Sequence, residues 1–128
     1  MVDKACPLFV PIVEEGWANT DIASLTARRY LEELMDKGID SLVLGCTHYP
    51  LLKRTIGEIV GENVKLVNPA RETAKDLKRI LENDNILREE TEEEPKYEYY
   101  VSDIPEKFAS IAEEFLKKEI DDIKSVKI

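Results

Sequence analysis

Cys46, Thr47 and His48 bring a thiol, a hydroxyl and an imidazole together within three residues. The thiolate is the reactive form of a cysteine, and a helix N-terminus next to a thiol favours that form. An imidazole changes charge near neutral pH and moves protons readily. His48 is the only histidine in the chain, and it stands two residues from Cys46. The plain alternative is a buried structural cysteine beside a hydrogen-bonded histidine, because cysteine is among the most buried residue types.

The flanking residues place this triplet where an α/β fold puts its chemistry. Leu42, Val43 and Leu44 form an apolar run suited to a strand buried on both faces. Gly45 ends the run and permits a tight turn. Pro50 falls near the first turn of a following helix, where its missing N–H costs little. Ligands of open α/β sheets bind at the carboxyl ends of strands, and the triplet sits at such an end.

Around this centre the pattern alternates. Residues 20–36 read as a helix that Thr20 or Asp21 caps, with Ala23, Ala27, Tyr30, Leu31 and Leu34 on one face and Gly38 beyond its end. Leu51 to Val60 read as the next helix, with Leu52, Thr55, Ile56 and Ile59 inward and Gly61 as its stop. Val64 to Val67 read as a strand, and residues 70–82 as a helix with a stripe of Ala74, Leu77 and Leu81. This succession predicts an α/β fold, a parallel sheet flanked by helices. Upstream, the Cys6-Pro7 and Val10-Pro11 pairs predict an extended or turning stretch over residues 1–16. Downstream, Glu89, Glu90, Glu92, Glu93 and Glu94 read as part of a solvated loop. Tyr97 to Val101 read as a strand, followed by a helix with Asp103 as cap, Pro105 and Glu106 early in it, and Phe108, Ile111, Ala112, Phe115 and Leu116 as its buried face. Residues 123–128 read as a terminal strand.

Composition narrows the partners. A chain of 128 residues suits one ordinary domain with a real core. A net charge of −9 argues against nonspecific nucleic-acid binding and against an anionic membrane surface. With neither a long apolar run nor a signal-peptide pattern, the expectation is a soluble, cytoplasmic protein. Two cysteines in unlike contexts do not make a disulfide framework, and one histidine without a CxxC pair argues against zinc.

Longer stretches carry a resemblance. Leu44-Gly45-Cys46-Thr47-His48-Tyr49-Pro50-Leu51-Leu52 resembles the second catalytic cysteine motif of the glutamate racemases, within the aspartate/glutamate racemase superfamily. Ala5-Cys6-Pro7-Leu8-Phe9-Val10-Pro11-Ile12-Val13-Glu14-Glu15-Gly16 resembles the segment that precedes it, Val67-Asn68-Pro69-Ala70 a later strand end, and Tyr97 to Phe115 the last strand and helix. Related aspartate racemases usually carry an acid where this chain has His48, and the family often has an acid where it has Asn68. The resemblance implies a partial aspartate/glutamate racemase-like fold. It implies cofactor-independent interconversion of L- and D-glutamate by two cysteines that exchange acid and base roles, supplying D-glutamate for peptidoglycan, and no metal. It implies Cys46 as one of the two bases, Thr47 as a ligand of the substrate's amino-acid end, His48 as the group assisting Cys46, and Glu14 as support for His48, with Glu15 as the neighbouring alternative. Cys6 matches neither catalytic motif and reads as a packed residue.

The family's first cysteine motif, an Ala-Cys-Asn-Thr-Ala-like run, is not in this sequence, and neither is its opening Asp-Ser and glycines. The chain therefore resembles a carboxyl-terminal half, inactive by itself. Residues 1–70 would be part of the second domain and residues 71–128 a returning segment of the first. Bare apolar surface follows as an expectation, with association into a homo-oligomer or with a matching amino-terminal half. The alternative is a non-catalytic α/β module, derived from a racemase, that binds an amino acid or a partner. A Cys-His hydrolase is a weaker third reading, since nucleophile and base two residues apart across a turn need not meet.

Overall fold

The computed structural model describes residues 1–89, 95–102, 105–120 and 123–127. Chain contacts divide it into two units, Met1–Leu87 and Arg88–Ile128. In the first unit, helices α1 (Phe9–Glu14) and α2 (Asp21–Asp36) precede strand β1 (Ser41–Val43). A 3-10 turn (Tyr49–Leu52), helix α3 (Lys53–Val60), strand β2 (Lys65–Val67) and helix α4 (Pro69–Asn83) follow. β1 and β2 pair in parallel, with Leu42 opposite Leu66, so β1, α3 and β2 form a βαβ crossover.

The core lies where α1, α2 and α3 face one another. Phe9, Ile12 and Val13 of α1 meet Ala23, Ala27, Leu31 and Leu34 of α2, with Leu52 of the 3-10 turn and Ile56 and Val60 of α3 closing the cluster. The small alanines of α2 let the neighbouring helices approach closely. Phe9 stacks edge-on to two rings, Tyr30 at 5.4 Å and Tyr49 at 5.2 Å between centroids. Inside this core the Thr55 hydroxyl donates to the Ala18 carbonyl at 2.7 Å, which satisfies a buried polar group.

Helix ends follow their capping residues. Thr20 caps α2, its Oγ1 accepting the Ala23 N–H, and Gly38 follows the helix with φ of +65°. Asn68 caps α4, accepting the Ala70 N–H through Oδ1 at 3.1 Å. Gly61 ends α3 with φ of +78°.

Three expectations are corrected. Residues 9–14 are helical rather than extended, because Phe9, Ile12 and Val13 fall at helical spacing and all three are buried. Pro11 is the third residue of that helix, where a backbone N–H has no intrahelical partner to lose. The stripe of α4 is not buried: Ala74 and Leu77 are exposed, Leu77 at 54%, and Leu81 is only half-buried.

The third correction lies in the second unit. There β3 (Tyr99–Val101), α5 (Pro105–Leu116) and β4 (Ile123–Ser125) form another parallel βαβ crossover. The terminal strand is present as expected. The expected buried face of α5 is not. Phe108, Phe115 and Leu116 are exposed, and Ile111 and Ala112 only half-buried. Two three-residue strands offer too little surface to cover that face. Glu90, Glu92, Glu93, Glu94 and Asp103 lie outside the described residues, and Glu89 is exposed.

Candidate functional site

The parallel ladder fixes where the chemistry sits. Leu44 N–H still bonds to the Val67 carbonyl at 2.9 Å, and the chain then leaves the sheet. Gly45 N–H turns back onto the Val43 carbonyl at 3.0 Å, a tight turn made without a left-handed φ. Cys46, Thr47 and His48 follow immediately, at the carboxyl end of β1. The 3-10 turn then starts at Tyr49, with Pro50 in its first positions.

The triplet is held from both sides. Tyr49 N–H bonds to the Cys46 carbonyl at 3.2 Å, and Leu51 N–H to the His48 carbonyl at 3.1 Å. The Tyr49 hydroxyl reaches across to the Cys6 carbonyl at 3.2 Å. Burial, more than the nearby Cys6 and Cys46 thiols, raises the pKa of this phenol above its ordinary value, so it stays a hydrogen-bond donor. Sequence reasoning assigned Tyr49 no role. Its signal was available: a ring with a polar tip directly after the triplet, which when buried must find a partner.

Glu14 comes to His48 from the last residue of α1. Its Oε1 lies 3.5 Å from His48 Nε2, and both side chains are partly shielded from water. That is longer than a closed charge-assisted hydrogen bond of about 2.7–2.9 Å. On the other ring nitrogen, Thr47 Oγ1 lies 3.2 Å from His48 Nδ1. A neutral imidazole has one donor and one acceptor nitrogen. A carboxylate only accepts, so a neutral ring here would turn Nε2–H to Glu14 and accept the Thr47 hydroxyl at Nδ1. Glu14, His48 and Thr47 thus form a chain of polar contacts beside Cys46. Glu15 is exposed.

The two thiols differ. Cys46 is a free, half-exposed cysteine, whereas Cys6 is 4% exposed with its Sγ directed at the Lys4 carbonyl, 3.6 Å away. Burial pushes the Cys6 thiol up from its ordinary pKa. Among the described residues, no group of three or more His, Cys, Asp or Glu is placed to hold a metal ion, and no helix is long and apolar enough to cross a membrane.

Known proteins match this sequence along its whole length. A glutamate racemase of Geobacter metallireducens is 50% identical over 128 residues, which is all of this chain and 47% of that protein. Relatives named glutamate racemase thus cover the whole of this chain. A glutamate racemase of Neisseria meningitidis serogroup A is 46% identical over 125 residues, covering 98% of the chain and 46% of the relative. The chain therefore spans about half the length of the curated relatives it matches. Solved structures agree. The Francisella tularensis glutamate racemase in complex with D-glutamate superposes with a TM-score of 0.84 at 40% identity, over 97% of this chain and 46% of that one. The Thermus thermophilus glutamate racemase in complex with β-chloro-D-alanine gives 0.85 at 39% identity, over 98% and 47%. No profile of a known protein family matches the sequence.

Proposed function

We propose that this chain is the carboxyl-terminal half of a glutamate racemase and supplies one side of a two-sided site. The carrying observation is the set Cys46, Thr47 and His48 at the carboxyl end of β1, with Glu14 3.5 Å from His48, in a chain that matches glutamate racemases throughout. The substrate is glutamate, and the solved Francisella relative in complex with D-glutamate supports that choice.

Racemising an α-amino acid requires removing the weakly acidic α-proton from one face and returning a proton to the other. Cys46, as thiolate, takes the α-proton of one enantiomer and becomes a thiol. The electron pair of the broken C–H bond moves toward the α-carboxylate, where hydrogen-bond donors must meet it. A second acid on the opposite face then protonates Cα. In the reverse direction the Cys46 thiol gives its proton and becomes the thiolate again. His48 holds the proton that keeps Cys46 in its working state, and Glu14 holds His48 in the tautomer and orientation that allow this. Thr47 binds the amino-acid end of the substrate. Its single hydroxyl proton serves either His48 Nδ1 or the substrate, so substrate binding loosens the ring from Thr47 and leaves Glu14 as its anchor.

The opposing acid belongs to the part of the racemase outside this chain. Residues 1–70 form part of the second racemase-like domain, and residues 71–128 return to complete the first. The exposed Leu77 and Ile80 of α4 support this division, because an amphipathic helix whose apolar side stays uncovered is built to pack on something else. The reaction needs no cofactor, and the protein works in the cytoplasm.

Circular dichroism of L- and D-glutamate incubated with the chain tests the reading. The chain alone should leave both unchanged. Adding a separately produced amino-terminal half of the Geobacter metallireducens relative should start racemisation, and Cys46→Ala should abolish it. Racemisation by the chain alone would show that the second acid is already present, with Cys6 as the suspect. No racemisation by the pair, with glutamate still bound, would leave a racemase-derived binding module instead.

A further inference from the structure

Tyr49 joins the two elements that carry His48 and Glu14. Its backbone N–H bonds to the Cys46 carbonyl at 3.2 Å, so it belongs to the turn that holds Cys46 and His48. Its hydroxyl donates to the Cys6 carbonyl at 3.2 Å and so grips the chain just ahead of α1. That same carbonyl accepts the N–H of Phe9, the first residue of α1, at 3.0 Å. Between the two grips the Tyr49 ring meets the buried Phe9 ring edge-on, with 5.2 Å between centroids. Burial raises the phenol above its ordinary pKa, so the grip persists through the neutral range in which an imidazole changes charge.

Glu14 is the last residue of α1, and His48 is the residue before Tyr49. A six-residue helix is only about 9 Å long, so a shift at its start carries through to its end. The contact at that end has no slack. Glu14 Oε1 lies 3.5 Å from His48 Nε2, already longer than a closed contact of about 2.7–2.9 Å, and any further drift of α1 would open it. A second hydroxyl holds the same helix start from elsewhere. Tyr30 Oη accepts the Leu8 N–H at 3.3 Å, and the Tyr30 ring meets Phe9 at 5.4 Å. Tyr30 ties α1 to α2, however, and not to the turn that holds His48.

We infer that Tyr49 is a positioning residue: its hydroxyl, held on the Cys6 carbonyl, fixes α1 against the turn that carries His48 and thereby sets the contact between Glu14 and His48. In this role Tyr49 meets no reacting atom and acts through the other two residues. Its effect on rate rests on the half-enzyme reading, whereas its effect on the contact rests on the geometry of this chain alone. Without the hydroxyl the ring still stacks on Phe9, but α1 is no longer pinned to the turn. Glu14 then orients the imidazole less well, and His48 holds its proton beside Cys46 less well. Thr47, on the other side of the ring, keeps its place, so substrate binding is spared.

Nuclear magnetic resonance of His48, the only imidazole in the chain, reads the contact without any partner. Tyr49→Phe keeps the ring and removes only the hydroxyl, and Glu14→Gln gives the His48 signal with the carboxylate lost. Tyr49→Phe should move that signal at least roughly half of the way from the parent to Glu14→Gln. Tyr30→Phe, which removes the matching hydroxyl on α2, should move it far less. In the pair formed with the amino-terminal half of the Geobacter relative, Tyr49→Phe should lower kcat about tenfold, roughly the effect of one hydrogen bond, and leave KM for glutamate within about twofold. An unmoved His48 signal would overturn the proposal. So would an equal shift in Tyr30→Phe, because any loosening of the start of α1 would then suffice. Lower stability in urea with a parent-like signal would make the bond merely structural and overturn it too, as would a moved signal with an unchanged kcat. A moved signal in a chain whose parent pair never racemises would support the role of Tyr49 and remove the racemase reading.

Discussion

In the proposed site Glu14 is the residue that would make His48 more than a passive neighbour of Cys46. The carboxylate lies 3.5 Å from Nε2, and nothing about its position in the sequence separates it from Glu15. The helix does: α1 ends at Glu14, which turns that side chain toward His48 and leaves Glu15 exposed. In the assembled pair Glu14→Gln should lower the racemisation rate about 100-fold and shift its pH profile, while Glu15→Gln should change it less than twofold. Equal effects would contradict the assignment. The thiols make a second residue-scale prediction. Iodoacetamide near neutral pH should modify half-exposed Cys46 and spare Cys6, whose burial both hides the thiol and raises its pKa. Cys6 should react only when urea unfolds the chain, and equal rates in the folded chain would count against this. The triplet itself was legible from residue types and spacing. Tyr49 offered a signal, a polar-tipped ring beside the triplet, but its partner was not legible, being a carbonyl 43 residues away.

At the scale of elements, the sequence was clear wherever an element carries its own reasons. Helix α2 has a cap, a five-residue apolar face and a closing glycine, and it forms within a residue of its expected bounds. Helix α1 was hidden because two prolines in residues 7–11 argue for extension, and the burial that overrides them comes from α2 and the 3-10 turn. The face of α5 was misjudged for the opposite reason. Periodicity shows which residues share a face, but burial requires a partner, and the second unit supplies little. Where α3 meets the loop before α2, a single buried hydroxyl can be tested. Thr55→Val keeps the shape and leaves the Ala18 carbonyl without its donor, at a cost of about 1–3 kcal/mol in urea unfolding. No loss would mean that the carbonyl finds water or another donor.

A chain that supplied half of a racemase should leave apolar surface bare. Apolar surface stays bare on β1 and α4 in one unit and on α5 in the other. An apolar dye should therefore bind the chain and be displaced by the amino-terminal half, whereas a monodisperse monomer that binds little dye would contradict the account. Acid stability follows a surface network. Hydrogen bonds from Lys37 and then Lys4 lower the Glu33 pKa to about 2 from its usual 4.5. A lowered folded-state pKa stabilises above the unfolded value, so this contribution is full above pH 4.5 and fades as the pH falls toward 2. Glu33→Gln should flatten that limb of the stability curve, and high salt should do the same to the parent, because the group is at the surface. The central claim is that this chain holds one face of a two-faced site, and α-hydrogen exchange in deuterium oxide tests it most directly. In the assembled pair both glutamate enantiomers should gain deuterium at Cα and invert. With Cys46→Ala the opposite acid still works on its own face, so only one enantiomer should exchange, without inversion. Exchange of both enantiomers, or of neither, in that variant would contradict the account.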